Sequence, residues 1–171
     1  MPLPHFLGTQ LPIIQAPMAG AQGSAMAVAV SNAGGLGIIT ALTQRTPEDL
    51  AKEIAKCRGL TDKPFGVNLT FLPSVNQPDY PGYIKAIIEG GVKIVETAGN
   101  NPVKWLPVLK ENGIKVVHKC TAVRHALEHL PAHQGLVKLY APAFTANRHE
   151  ALDTQQLLMA RYRADGVLVP A

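Results

Sequence analysis

The chain has 171 residues, enough for one ordinary domain. Hydrophobic residues make up 47% and charged residues only 16%, a balance that excludes intrinsic disorder. The net charge of +4 comes from basic residues scattered between Arg45 and Arg163 without a run, so no nucleic-acid face is expected. Aromatics are 5%, which leaves a core built from Ile, Leu, Val and Ala. No apolar stretch approaches the ~20 residues of a membrane span. Residues 1–8 lack the basic and apolar regions of a signal peptide. With two cysteines, Cys57 and Cys120, and no disulfide framework, a reducing, cytoplasmic setting is expected.

In chain order, apolar runs alternate with helix-like runs. Pro12–Met18 is the first apolar run, followed by a small-residue helix over Ser24–Asn32. Asn32-Ala33-Gly34-Gly35 reads as the end of that helix rather than as a dinucleotide fingerprint, because the glycines follow a helix and not a strand. Leu36–Thr40 is the second run. Thr46-Pro47-Glu48-Asp49 then opens a helix with an N-cap threonine, a first-turn proline and two acidic residues, and this helix reaches Cys57. Phe65–Thr70 is the third run. A loop holding Pro73, Pro78 and Pro81 precedes a helix over Tyr83–Glu89, stopped by Gly90-Gly91. Val92–Thr97 is the fourth run, with a helix around Val103–Glu111 after it; Ile114–His118 is the fifth, with a helix over Thr121–His129. Leu136–Tyr140 reads as a sixth strand, Arg148–Arg163 as an amphipathic helix and Gly166–Val169 as a last short strand.

The five runs begin near residues 12, 36, 65, 92 and 114 and are apolar on both faces. That is the pattern of parallel strands buried on both sides, so the fold class is α/β. Both an open doubly wound sheet and part of a (β/α)8 barrel satisfy it. A complete barrel takes ~250 residues, so an open sheet or an incomplete barrel of five to six parallel strands is expected.

In any parallel α/β fold the working residues lie at the carboxyl ends of the strands. Those ends carry Gln15-Ala16-Pro17-Met18, Thr40, Asn68 and Thr70, Glu96-Thr97, and His118-Lys119-Cys120. Burying such groups without partners is costly, so a ligand at a shared rim accounts for them. The competing reading is that they cap loops and start helices. Lys119 ends an apolar strand and suits a phosphate or a flavin's charged pyrimidine ring; snorkelling to solvent is its alternative. His125 and His129 are four residues apart, a spacing used by metal pairs, but no third ligand is placed and a solvated helix face is expected, with no metal. Cys57 reads as inert packing, and Cys120 has no evident role.

Five segments, in order, resemble one known family. Pro12-Ile13-Ile14-Gln15-Ala16-Pro17-Met18-Ala19-Gly20 looks like the opening of bacterial nitronate monooxygenases, once called nitropropane dioxygenases. Ser31-Asn32-Ala33-Gly34-Gly35-Leu36-Gly37, Pro64-Phe65-Gly66-Val67-Asn68-Leu69-Thr70, Val95-Glu96-Thr97-Ala98-Gly99-Asn100 and His118-Lys119-Cys120-Thr121-Ala122-Val123-Arg124-His125-Ala126 match further segments. The last three are also similar to the related NADH:quinone reductases. The resemblance implies an FMN-binding (β/α)8 barrel. It implies that Ala16, Pro17 and Met18 lie along the flavin, that Asn68 hydrogen-bonds its ring, and that Lys119 places positive charge near N1 and the C2 oxygen. Gln15, Glu96, Thr97 and His118 are implied rim residues. The implied chemistry is oxidation of an alkyl nitronate with dioxygen to a carbonyl compound and nitrite; in the reductase relatives NADH supplies hydride and a quinone accepts electrons.

The resemblance covers about residues 11–127. Residues 1–127 are therefore expected to form the N-terminal part of the barrel, and 128–171 a divergent tail. The family's Gly-His segment, which supplies its catalytic base, and its two glycine-rich phosphate loops are not recognised in that tail; His129 and His133 lack the right context. A truncated or frame-shifted chain is the expectation, with catalytic residues unknown and activity in doubt. A non-catalytic barrel fragment and a barrel enzyme using Lys119 on a phosphorylated substrate are the alternatives. An open sheet edge in such a chain predicts self-association.

Overall fold

The computed structural model describes residues 3–18, 23–71, 77–120 and 136–140. A short helix α1 (Leu3–Leu7) is followed by α2 (Ser24–Asn32), β1 (Gly37–Thr40), α3 (Pro47–Leu60), β2 (Phe65–Phe71), α4 (Tyr80–Glu89), β3 (Ile94–Gly99), α5 (Leu106–Glu111), β4 (Lys115–Cys120) and β5 (Leu136–Tyr140). The five strands are all parallel and stand in the order β1-β2-β3-β4-β5. The segment before them adds one parallel bridge, Ile14 to Leu36, on the outer side of β1.

That sequential order decides between the two architectures left open by the apolar runs. A doubly wound sheet reverses direction and places helices on both faces, whereas a barrel sheet runs on in one direction with its helices on one face. Here α2, α3, α4 and α5 send Ala27, Leu50, Ile54, Cys57, Ile84, Ile87 and Leu109 into one cluster with Ile39, Val67, Leu69, Val95 and Val116 of the sheet. The opposite face carries a smaller cluster of Leu36, Ile38, Ile94 and Val117, closed by Leu7 with Leu3 and Phe6 of α1. The fold is a singly wound α/β partial barrel, with α1 plugging the inner face at the amino ends of the strands. Lys115, at the start of β4, donates to the Phe6 carbonyl and lies over the Phe6 ring, 5.3 Å from its centroid.

Local chemistry explains most of the element ends. Thr46 Oγ1 accepts from the Asp49 N–H at 3.2 Å and caps α3, with Pro47 behind it. At the end of α2, Gly34 has φ +93°, and Gly34 and Gly35 donate to the Ser31 and Val30 carbonyls, a Schellman closure. Gly37 has a different reason to be glycine. A Cβ there would lie 1.9 Å from the Ala27 carbonyl oxygen, so α2 packs directly on the β1 backbone. Ser31 locks the same contact, donating to the Pro64 carbonyl at 2.9 Å and accepting from the Gly37 N–H at 3.2 Å. The substitution Gly37→Ala is expected to cost about 2 kcal/mol by forcing α2 off the sheet, read as a lowered urea midpoint with an unchanged slope.

Three of the expected elements take a different form or start. The run Pro12–Met18 is one bridge rather than a full strand: Pro12 and Pro17 have no N–H for a ladder. Helix α4 begins at Tyr80, not Tyr83, because Asp79 caps it by accepting from the Gly82 N–H at 3.0 Å and Pro81 sits in the first turn, where its missing N–H costs nothing. The helix expected over 103–111 is a 3-10 turn (Pro102–Lys104) capped by Asn101, followed by α5 with Pro107 near its start. The readings for 121–129, 148–163 and 166–169, and the pair His125 and His129, lie outside the described residues.

Candidate functional site

The parallel ladder sets the site. Thr40 stands beside Asn68, Asn68 beside Glu96, and Glu96 beside Val117. These four residues form one row across the inner face. Below the row, toward the amino ends, Ile38 and Ile94 meet the α1 plug together with Val117 of the row itself. Above it come Thr70 and Lys119, each two residues on and so on the same face. The inner face therefore changes from oily to polar at Asn68 and Glu96, as the strands approach their carboxyl ends.

The polar groups are tied together. Asn68 Nδ2 donates to Glu96 Oε2, and Thr70 Oγ1 donates to Asn68 Oδ1 at 3.2 Å. Lys119 Nζ lies 3.5 Å from Glu96 Oε1. The Glu96 side chain is 3% exposed and that of Lys119 34%, so the carboxylate is interior while the ammonium reaches the opening. Burial pushes the Glu96 carboxyl above its ordinary range, against the pull of the Lys119 charge and the Asn68 amide. In the same row the Thr40 hydroxyl is buried and has no hydrogen-bond partner among the described residues.

Thr97 and His118 are one residue out of phase with Glu96 and Val117. They share the helix-side face with Val95 and Val116, and Thr97 Oγ1 and His118 Nδ1 are 2.9 Å apart. Both are buried. Neither joins the inner-face row. Gln15, Ala16, Pro17 and Met18 follow the Ile14 bridge, so β1 separates their segment from Asn68. Both polar atoms of the Gln15 amide are buried and unpartnered among the described residues. Strands β3 and β4 run on to Gly99 and Cys120, two residues past the runs Val92–Thr97 and Ile114–His118, so Lys119 too is a strand residue, with Glu96, Thr97 and His118.

Sequence reasoning singled out Asn68, Glu96 and Lys119 but not the link between them. It noted Thr40 and Thr70 at strand ends without giving them a part. The usable signal was the alternation of Asn68 and Thr70 with Val67, Leu69 and Phe71, the period of a strand with two different faces. Cys57 lies in the helix-side core, where burial pushes its thiol up to about 11 and keeps it protonated. Among the described residues no cluster of three metal-ligating side chains occurs, and no helix is long and apolar enough to cross a membrane.

A family model described as nitronate monooxygenase matches residues 2–149. The (3aS,4S,5R,7aS)-5-hydroxy-7a-methyl-1-oxo-octahydro-1H-indene-4-carboxyl-CoA dehydrogenase of Mycobacterium tuberculosis is 34% identical over 125 residues, 73% of this chain and 34% of that protein. A nitronate monooxygenase of Pseudomonas aeruginosa is 60% identical over 65 residues, 38% of this chain and 18% of that protein. Among solved structures, FabK from Thermotoga maritima superposes with a TM-score of 0.66 at 34% identity, over 80% of this chain and 43% of that one. The matched part of the chain spans about a third of the length of the Mycobacterium tuberculosis relative and under a fifth of the Pseudomonas aeruginosa one.

Proposed function

This chain belongs to the nitronate monooxygenase family, and on that premise we propose that it provides the substrate-facing half of an FMN-dependent oxidoreductase site, acting on alkyl nitronates with dioxygen to give a carbonyl compound and nitrite. The observation that carries the reading is the inner-face row: Asn68, Glu96 and Lys119, from three successive strands, are joined into one polar group above an apolar plug.

The donors suit a flavin. Its pyrimidine edge offers several acceptor atoms, and the chain offers the second Asn68 N–H, the remaining ammonium protons of Lys119 and the unpartnered Thr40 hydroxyl. Asn68 and Lys119 would hold the ring, with Ala16, Pro17 and Met18 along it. When bound, FMN supplies a two-electron acceptor that can hand electrons on to dioxygen. The chain's own part is to orient the ring and to keep positive charge at its edge while the apolar floor of Ile38, Ile94 and Val117 excludes water from beneath.

A second reading, turnover with NADH and a quinone, rests on the likeness of segments 64–70, 95–100 and 118–126 to the NADH:quinone reductases. Self-association through an open sheet edge belongs to the same proposal. One experiment separates the readings. The chain is incubated with FMN and passed over a sizing column, and the eluted protein is mixed anaerobically with propyl-2-nitronate or with NADH. Bleaching of the flavin absorbance by nitronate, with recovery on admitting air, is expected. Bleaching by NADH alone would move the assignment to the reductase. A protein peak free of flavin absorbance would overturn both.

A further inference from the structure

Each oxygen of the Glu96 carboxylate is committed to a different strand. Oε2 accepts from Asn68 Nδ2 on β2, and Oε1 faces Lys119 Nζ on β4. The Asn68 amide is engaged at its other end as well, its Oδ1 accepting from Thr70 Oγ1. An amide held in this way does not turn over, because turning would set its oxygen against the Glu96 carboxylate. What Asn68 can still offer is a second N–H, so the site presents a donor there rather than a choice of donor or acceptor. Lys119 is held in the same way: its flexible stem has many rotamers in solvent, and a buried counter-charge confines the ammonium to one side of the opening.

We propose that Glu96 is a positioning residue, which acts through Asn68 and Lys119 to fix a donor and a cation at the opening for an acceptor-rich ring. The ring it serves is the flavin of the reading above, so the proposal rests on that reading for its ligand but not for the bridge itself. Glu96 does not touch the ring in this arrangement; both of its oxygens are already used, and the side chain is interior.

Two measurements test this. The first needs no ligand: the side-chain amide pair of Asn68 is followed by 15N–1H NMR in the wild type, Glu96→Gln and Glu96→Ala. The two Asn68 protons are expected to be more widely split in the wild type than in a free amide, to stay so in the glutamine variant, whose amide oxygen can still accept, and to fall back to the free-amide splitting in the alanine variant. An unchanged splitting in a folded Glu96→Ala protein overturns the bridge. The second is the FMN dissociation constant. Glu96→Ala is expected to weaken FMN by about tenfold in the wild-type background and to change nothing in an Asn68→Ala/Lys119→Met background, since the two groups it acts through are gone. An equal loss in both backgrounds overturns the positioning role. Absence of FMN binding in the wild type, with the NMR pattern as expected, removes the flavin reading and leaves the bridge standing.

Discussion

Lys119→Met lowers the stability of the chain by about 3 kcal/mol at pH 7, the low end of what breaking a buried ion pair costs, because Lys119 itself is partly in water and its pair is screened to that extent. The damage is done at Glu96. With its counter-charge gone, the carboxylate sits 3% exposed with only the Asn68 amide to hold it. The pH dependence identifies the cause. Burial already raises the folded value of Glu96 above its ordinary 4.5, so the folded state holds this proton more tightly than the unfolded chain does. Stability from this group is therefore full below the unfolded value and is lost as pH rises through the raised folded value. Removing Lys119 takes away a lowering influence and stretches that window upward. The gap between variant and wild type is thus expected to be wide at pH 7 and to narrow as pH falls toward 5, with urea melts at both values as the measurement. A gap independent of pH would mean that lost packing, not stranded charge, is responsible. The double variant Lys119→Met/Glu96→Gln removes both charges at nearly constant volume and is expected to recover most of the loss.

Phe71→Ala is the second large effect, about 3–4 kcal/mol, the range for removing a buried aromatic. Phe71 ends β2 in the helix-side core, with the Tyr80 ring 5.0 Å and the Trp105 ring 6.5 Å from its own, centroid to centroid. It thereby joins the start of α4 and the turn before α5 to the sheet. Its backbone carbonyl accepts from the Asn100 N–H at 2.7 Å, and Tyr80 Oη donates to the Thr70 carbonyl at 3.2 Å. Losing the ring loosens the carboxyl ends of β2 and β3, three residues beyond Asn68 and Glu96. Thermal melts followed by Trp105 fluorescence report it directly, since the chain has one tryptophan. Phe71→Leu, which keeps most of the apolar volume, is expected to cost less than half as much.

These two residues show what the sequence made legible and what it did not. The strands were legible because a parallel strand under a helix layer is apolar on both faces, and Phe65–Phe71 and Leu136–Tyr140 stand within a residue of the runs that announced them. Helix α2 was legible from its small residues and the glycines after it. Helix α1 was not, because five residues are too few for a helical period to show, although Leu3, Phe6 and Leu7 are what closes the inner face. The family-like segment Ser31–Gly37 turned out to carry packing: Ser31 and Gly37 seat α2 on β1, and Gly34 closes the helix. At the site, residue types were readable but partners were not. Asn68 and Glu96 are 28 residues apart and meet only through the β2–β3 register, and one step of phase sends Thr97 and His118 to the other face of the sheet. Register depends on how whole strands pair, which no local pattern states.

The central claim is that Asn68 and Lys119, held in place by Glu96, form the ring-binding edge of a flavin site. Its most direct test is the visible spectrum of FMN titrated with the purified chain and, in parallel, with the Lys119→Met/Glu96→Gln variant, whose fold is expected to survive. The account predicts a shifted, vibrationally resolved flavin band with the wild-type chain and a clearly weakened shift with the variant. A flavin spectrum that responds identically to both proteins would contradict it.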